Sequence, residues 1–147
     1  MSLLVLASYL CSDFVKKIDT NEVERPKTVY IDIYPDQALT PFAVVMEDTD
    51  TEYAVDKDRG YNTLRGYPTF QFYWEKTDVA IYEHLLRRYV REFKEGKKVI
   101  FGEGSLTYSL DYLEITNARM YPEQIQDKPR YILETALKLQ YETIKTD

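Results

Sequence analysis

The hydrophobic period of this chain changes from two to about 3.6 between residues 68 and 93, which fixes much of what it can fold into. In YPTFQFYWE, residues 67–75, Phe70, Phe72 and Trp74 alternate with Thr69, Gln71 and Tyr73, the pattern of a strand with one buried face. Val79, Tyr82, Leu86, Tyr89, Val90 and Phe93 then recur every three or four residues, as on one face of a helix. Asp78 is placed to cap its first turn and Gly96 to end it, so a helix is expected over 78–95. Trp74 and its neighbours on the same face are expected to lie beneath that helix.

The rest of the chain is arranged around this unit. Leu3, Leu6, Ala7, Leu10, Phe14 and Ile18 share one face of a predicted helix over 3–18. That segment lacks the basic start of a signal peptide, and its apolar part is too short to span a bilayer. TVYIDIY (28–34) alternates as a strand, and PFAVVM (41–46) is a better-buried one. LTYSLDYLEIT (106–116) is a strand whose apolar phase slips between Tyr112 and Leu113, which predicts a bulge. In 130–142, Tyr131, Leu133, Leu137, Leu139 and Tyr141 alternate as in a strand, whereas Ile132, Leu133, Ala136 and Leu137 could line a helix. The odd-position pattern favours the strand. Residues 47–66 show no periodicity and hold six acids and two glycines, and a structureless loop of that length signals function or disorder. The expectation is one α+β domain over 1–147, of order α-β-β-β-α-β-β, with a mostly antiparallel sheet and helices packed on one face.

Two similar stretches, YPDQ at 34–37 and YPEQ at 121–124, invite a functional reading. Proline presets φ for a turn, and the acid after it can accept from nearby amides. Both are therefore expected to be turns between antiparallel neighbours at one end of the sheet, with Pro41 and Pro129 opening the return strands. The acidic loop is expected at the other end.

No catalytic signature appears, and the chain reads as a non-enzyme with no cofactor. DTDTE (48–52) resembles the start of a calcium loop, but Tyr53 stands where that loop needs glycine and Arg59 where it needs glutamate, so no metal site is expected. His84 is the sole histidine and lacks an orienting acid or nucleophile in the pattern. Cys11 is also alone, which excludes an internal disulfide and fits a buried thiol in a reducing compartment. With 25 acids against 19 bases the net charge is −6, which opposes sequence-specific nucleic-acid binding.

One basic cluster stands out: Arg87, Arg88, Arg91, Lys94, Lys97 and Lys98. Cations suit a helix C-terminus, and Glu83 and Glu92 lie four residues from Arg87 and Arg88. Aromatic neighbours also make a nucleic-acid surface conceivable. As a protein interface, Arg87, Arg91 and Lys94 would meet Asp48, Asp50, Glu52, Asp56 and Asp58 of a neighbouring copy.

The order of elements resembles a known family. A short amphipathic helix leads to a strand ending IYP, Pro-Phe opens the next in PFAVV, TFQFYW precedes the helix VAIYEHLLRRYVREF, and two strands close the chain. This is similar to the tail-terminator and tail-completion proteins, also called minor tail or neck proteins, of long-tailed bacteriophages. The resemblance implies a non-enzymatic subunit of a homo-oligomeric ring, a hexamer, that caps the tail tube and joins it to the head. Its partners would be further copies, the tail-tube protein and the head connector, with no membrane. It would be made in the host bacterial cytoplasm and reside in the virion at the tail–head junction. The competing reading is a small acidic inhibitor or immunity-type protein that binds a basic protein target through the 47–58 acids.

Overall fold

A computed structural model describes residues 2–47, 52–56, 61–94, 100–103, 106–125 and 128–145. It is an α+β fold: two helices pack on a mostly antiparallel sheet. The helices are α1 (Ser2–Lys17) and α2 (Ala80–Lys94). The strands are β1 (Val29–Ile31), β2 (Phe42–Glu47), β3 (Glu52–Asp56), β4 (Tyr61–Gly66), β5 (Pro68–Trp74), β6 (Ile100–Glu103), β7 (Leu106–Ile125) and β8 (Lys128–Lys145). Along the main path the strands run β1-β2-β5-β8-β4-β3, while β7 lies on the other side of β8 and carries β6.

The expected strand over 68–74 and the helix after it are both present, and Phe70, Phe72 and Trp74 face the core. Phe72 sits at the centre, its ring 5.8 Å from Phe14 of α1 and 5.2 Å from Tyr82 of α2. All six apolar positions expected on the first helix face are buried, five on α1 and Ile18 just past its end. Residues 130–142 are strand, and Leu133, Leu137, Leu139 and Tyr141 all lie in the same core. The alternation was the better guide there because one face of β8 is covered by helices.

The expected loop 47–66 is instead largely strand. β3 and β4 pair antiparallel, with Glu52 opposite Arg65 and Asp56 opposite Tyr61. β4 and β5 then continue one register along β8, from Asn62 opposite Thr143 to Trp74 opposite Tyr131. The sequence hides this because the ladder sets the conformation; polar residues can extend a sheet whose register is already held further along. Gly66 stands at the join, under the Leu3 side chain. A Cβ there would collide with the Leu3 side chain, so α1 approaches the sheet closely at that point.

The two similar Tyr-Pro stretches also differ from expectation. β1 is parallel to β2, not its hairpin partner, with Val29, Tyr30 and Ile31 opposite Ala43, Val44 and Val45. Residues 32–41 are therefore a crossover that returns the chain to the start of β2, and Tyr34 and Ala38 pack across the face away from the helices. Parallel neighbours require such a return. YPEQ at 121–124 lies inside β7, which runs nine residues past the expected end at 116. Each of its residues has a partner in β8, from Tyr121 opposite Ile132 to Gln124 opposite Pro129. The register slips between Leu110 and Tyr112, close to the expected bulge, and again between Ile115 and Asn117. Asp78 does not cap α2 but sits within a 3-10 turn, Thr77–Val79, whose N-cap position, Lys76, makes no side-chain cap bond. Gly96 lies outside the described residues. The order among described residues thus has three strands beyond the expected five.

Candidate subunit interface

The residues expected to form an interface fall on two separate elements. Glu52 and Asp56 are the first and last residues of β3, the outermost strand on its side of the sheet. Asp48, Asp50 and Asp58 lie outside the described residues. Arg87 and Arg91 are exposed on α2, and Lys94 is its last residue. α2 packs on β7 and β8. In the sheet, β4 and β8 intervene between β3 and β7. Three strand spacings put about 14 Å between them, beyond the Debye length of about 8 Å at physiological salt. Within one subunit the two sets occupy opposite margins.

The α2 surface is partly paired with itself. Arg87 Nε donates to Glu83 Oε2 at 3.3 Å, the expected four-residue pair. Arg88 does not pair with Glu92 as expected; its Nη1 lies 3.9 Å from Glu22 Oε1, and its Nη2 is 3.3 Å from His84 Nε2. His84 is exposed, on a helix surface beside arginine rather than in a cleft. Arg87 and Arg91 flank a shallow groove of about 210 Å³ between α2 and β7, whose apolar residues are Val90 and Ile115.

Cys11 is fully buried, and burial pushes its thiol far above the ordinary value, which suits packing rather than nucleophilic chemistry. Among the described residues no group of three or more His, Cys, Asp or Glu side chains is placed to hold a metal ion. Nor is any described helix long and apolar enough to cross a membrane.

The pattern of the sequence did not disclose a second centre, on the sheet face away from the helices. Phe42, Val44, Tyr73 and Ile132 form a small buried cluster there, joined by Tyr30, Tyr34, Ala38 and Tyr121. Arg130 is 6% exposed within it. Its guanidinium lies 4.8 Å from the Tyr73 ring centre, and Nη2 donates to Glu123 Oε2 at 3.0 Å. The residues 123 and 130 face each other across β7 and β8, so opposite charges near a hairpin turn were the available signal. Next to it Tyr73 Oη donates to Gln71 Oε1 at 2.8 Å, and Gln71 Nε2 donates to Glu134 Oε2 at 2.9 Å. Arg119 and Tyr121 also donate to Glu134. Burial pushes the Glu134 carboxyl up, but these hydrogen bonds outweigh it and hold the group below the usual carboxylate range. Burial, aided by Tyr34, pushes the Tyr73 phenol up. Arg130 Nε is buried without a hydrogen-bond partner, while the other groups named are bonded to neighbours within the fold, and the cluster packs the crossover 32–41 on the sheet. It pins structure.

No family model matches the chain, and no curated protein sequence does either.

Proposed function

We propose that the chain is a non-enzymatic virion assembly protein of the tail-terminator kind, forming a ring that caps the tail tube and joins it to the head. One observation carries the reading: acids on the outermost strand β3 and arginines on the surface of α2 lie at opposite margins of one subunit. Unlike patches at separate places favour a head-to-tail contact, which closes into a ring if the rotation per subunit allows it. The proposed ring is a hexamer at the tail–head junction of the virion, with the tail-tube protein and head connector as its other partners. Exposed ion pairs contribute roughly 0–1 kcal/mol each, so charge would set register and apolar contacts would supply affinity.

Mass measurement at increasing concentration, alone and with purified tail tubes, tests the reading, with electron microscopy of the products. Closed rings seated on tube ends are expected. Reversal of Arg87 and Arg91 to Glu should weaken assembly, and added salt should slow it. A protein that stays monomeric throughout, tubes included, overturns the proposal.

A further inference from the structure

The crossover after β1 carries an apolar projection that the fold does not need. Ile33 is 82% exposed, and Ile31, two residues before it, is 49% exposed. Between them Asp32 has φ of 61°, and the turn is closed by Ile33 N–H donating to Ile31 O at 2.7 Å. Three-residue turns with a positive central φ are rare and strained, and persist where the surroundings hold them. Here Asp32 N–H is held by Val45 O at 2.9 Å. The strained turn thus turns an isoleucine outward, with the exposed acid Asp32 next to it in the chain and the exposed Asp36 further along the same crossover.

The opposite margin of the molecule offers the complement. The groove between α2 and β7 has the half-buried Ile115 at its floor, beside the core residue Val90, and is flanked by the exposed side chains of Arg87 and Arg91. Main-path strand order begins at β1, whereas β7 lies beyond β8. One copy therefore cannot bring its own projection to its own groove. We infer that Ile33 is the apolar anchor by which one copy docks head-to-tail on the next, seated over Ile115 with Asp32 and Asp36 facing Arg91 and Arg87. The choice of a second copy as occupant rests on this match of apolar centre and opposite charge. It rests also on the head-to-tail self-association proposed above, but gives Arg87 and Arg91 the crossover acids Asp32 and Asp36 as partners in place of the β3 acids.

Disulfide trapping in the full-length chain tests it. Two variants, Ile33→Cys and Arg91→Cys, are made separately and mixed under mild oxidation; the buried Cys11 stays out of reach. A seated contact brings the two positions within the roughly 4.4–6.8 Å between Cα atoms that a disulfide bridges. The mixed dimer should form at least tenfold faster than either self-dimer, and a chain carrying both cysteines should give a ladder of linked species. Ile33→Asp should weaken self-association at least tenfold with an unchanged melting temperature. Adding Asp32→Arg to Arg91→Glu should recover most of what Arg91→Glu loses. If Ile33→Cys pairs with itself instead, the contact is symmetric and the inference fails. If the wild type assembles but no mixed dimer forms and Ile33→Asp assembles normally, the inference fails while the ring reading stands. A wild type that is monomeric at every concentration, with or without tubes, overturns both.

Discussion

Phe72→Ala is the perturbation whose consequence the fold defines best. Phe72 is fully buried, and its ring lies against Phe14 of α1 and Tyr82 of α2, so one side chain ties both helices to the sheet. Truncating a buried phenylalanine costs about 3–5 kcal/mol, from lost transfer energy plus the cavity left behind. The upper part of that range is expected here, because both helices would have to move to refill the space. For a domain of this length each kcal/mol lowers the melting midpoint by about 2–4 °C, so a fall of about 6–20 °C is expected. Urea unfolding followed by circular dichroism reads the loss directly, and an unchanged slope shows that the unfolded state is not the cause. Phe14→Leu in the same background isolates the aromatic pair, whose coupling should be about 0.5–1.5 kcal/mol. A loss below about 1 kcal/mol for Phe72→Ala would mean that this face of β5 is not the core face, and the helix layer would have to be re-drawn on the Tyr73 side.

Two further predictions concern sites outside that core. Glu134 has its folded-state pKa lowered by Gln71, Arg119 and Tyr121, so its stabilising contribution is full above the ordinary carboxylate pKa and is lost as pH falls through the folded value. Glu134→Gln should therefore lower stability at pH 7 and flatten its decline below about pH 4.5, which thermal melts across pH 2–7 would show; an unaltered acid limb refutes the assignment. Gly66→Ala should destabilise by about 1–3 kcal/mol through the collision with Leu3. Pairing it with Leu3→Ala should cost less than the two single changes added, and strict additivity would rule the collision out.

What could be read from the sequence follows where the helices lie. Where a strand has a helix over one face, its apolar residues alternate, and β5 and the odd positions of β8 were legible for that reason. β3 and β4 lacked such a pattern. Only Leu64 among their described side chains is buried in the core, and their conformation comes from pairing, β4 with β8 and β3 with β4, rather than from their own composition. The two Tyr-Pro stretches misled for a related reason. Turn chemistry is local, but whether 32–41 closes a hairpin or crosses over depends on β2 pairing with both β1 and β5, which no local signal carries. Pro122 fits within β7 because, among the described strands, β7 has a partner on one side only along that stretch, and a strand edge tolerates a residue with no donor. Of the interface candidates, the exposure of Arg87 and Arg91 was legible from helical spacing; Ile33 was not. The alternation of 28–34 placed it within a strand, whereas β1 ends at the already exposed Ile31 and the chain turns at Asp32.

The edges of the sheet bear on how copies could meet. An open strand edge is a template for adding another strand, and proteins that associate in a controlled way blunt it. β1 offers only three residues, and β3 begins and ends with an acid. β7 pairs with β6 only through Leu106–Ser109, so among the described strands its outer side is open beyond that point. Two register shifts and Pro122 interrupt that stretch. Bulges twist an edge away from a flat partner and proline removes a donor, so continuous backbone pairing between copies is disfavoured at β7. Contact through side chains is then the favoured mode, and a side-chain contact fixes the angle between subunits by the shape of its anchor. A single outward isoleucine set by a strained turn is suited to that task, because a fixed angle is what separates a closed ring from an open fibre. Replacing Pro122 with threonine, which restores the donor, should therefore increase concentration-dependent aggregation measured by light scattering while leaving the fold intact. Unchanged scattering would show that the bulges alone protect the edge.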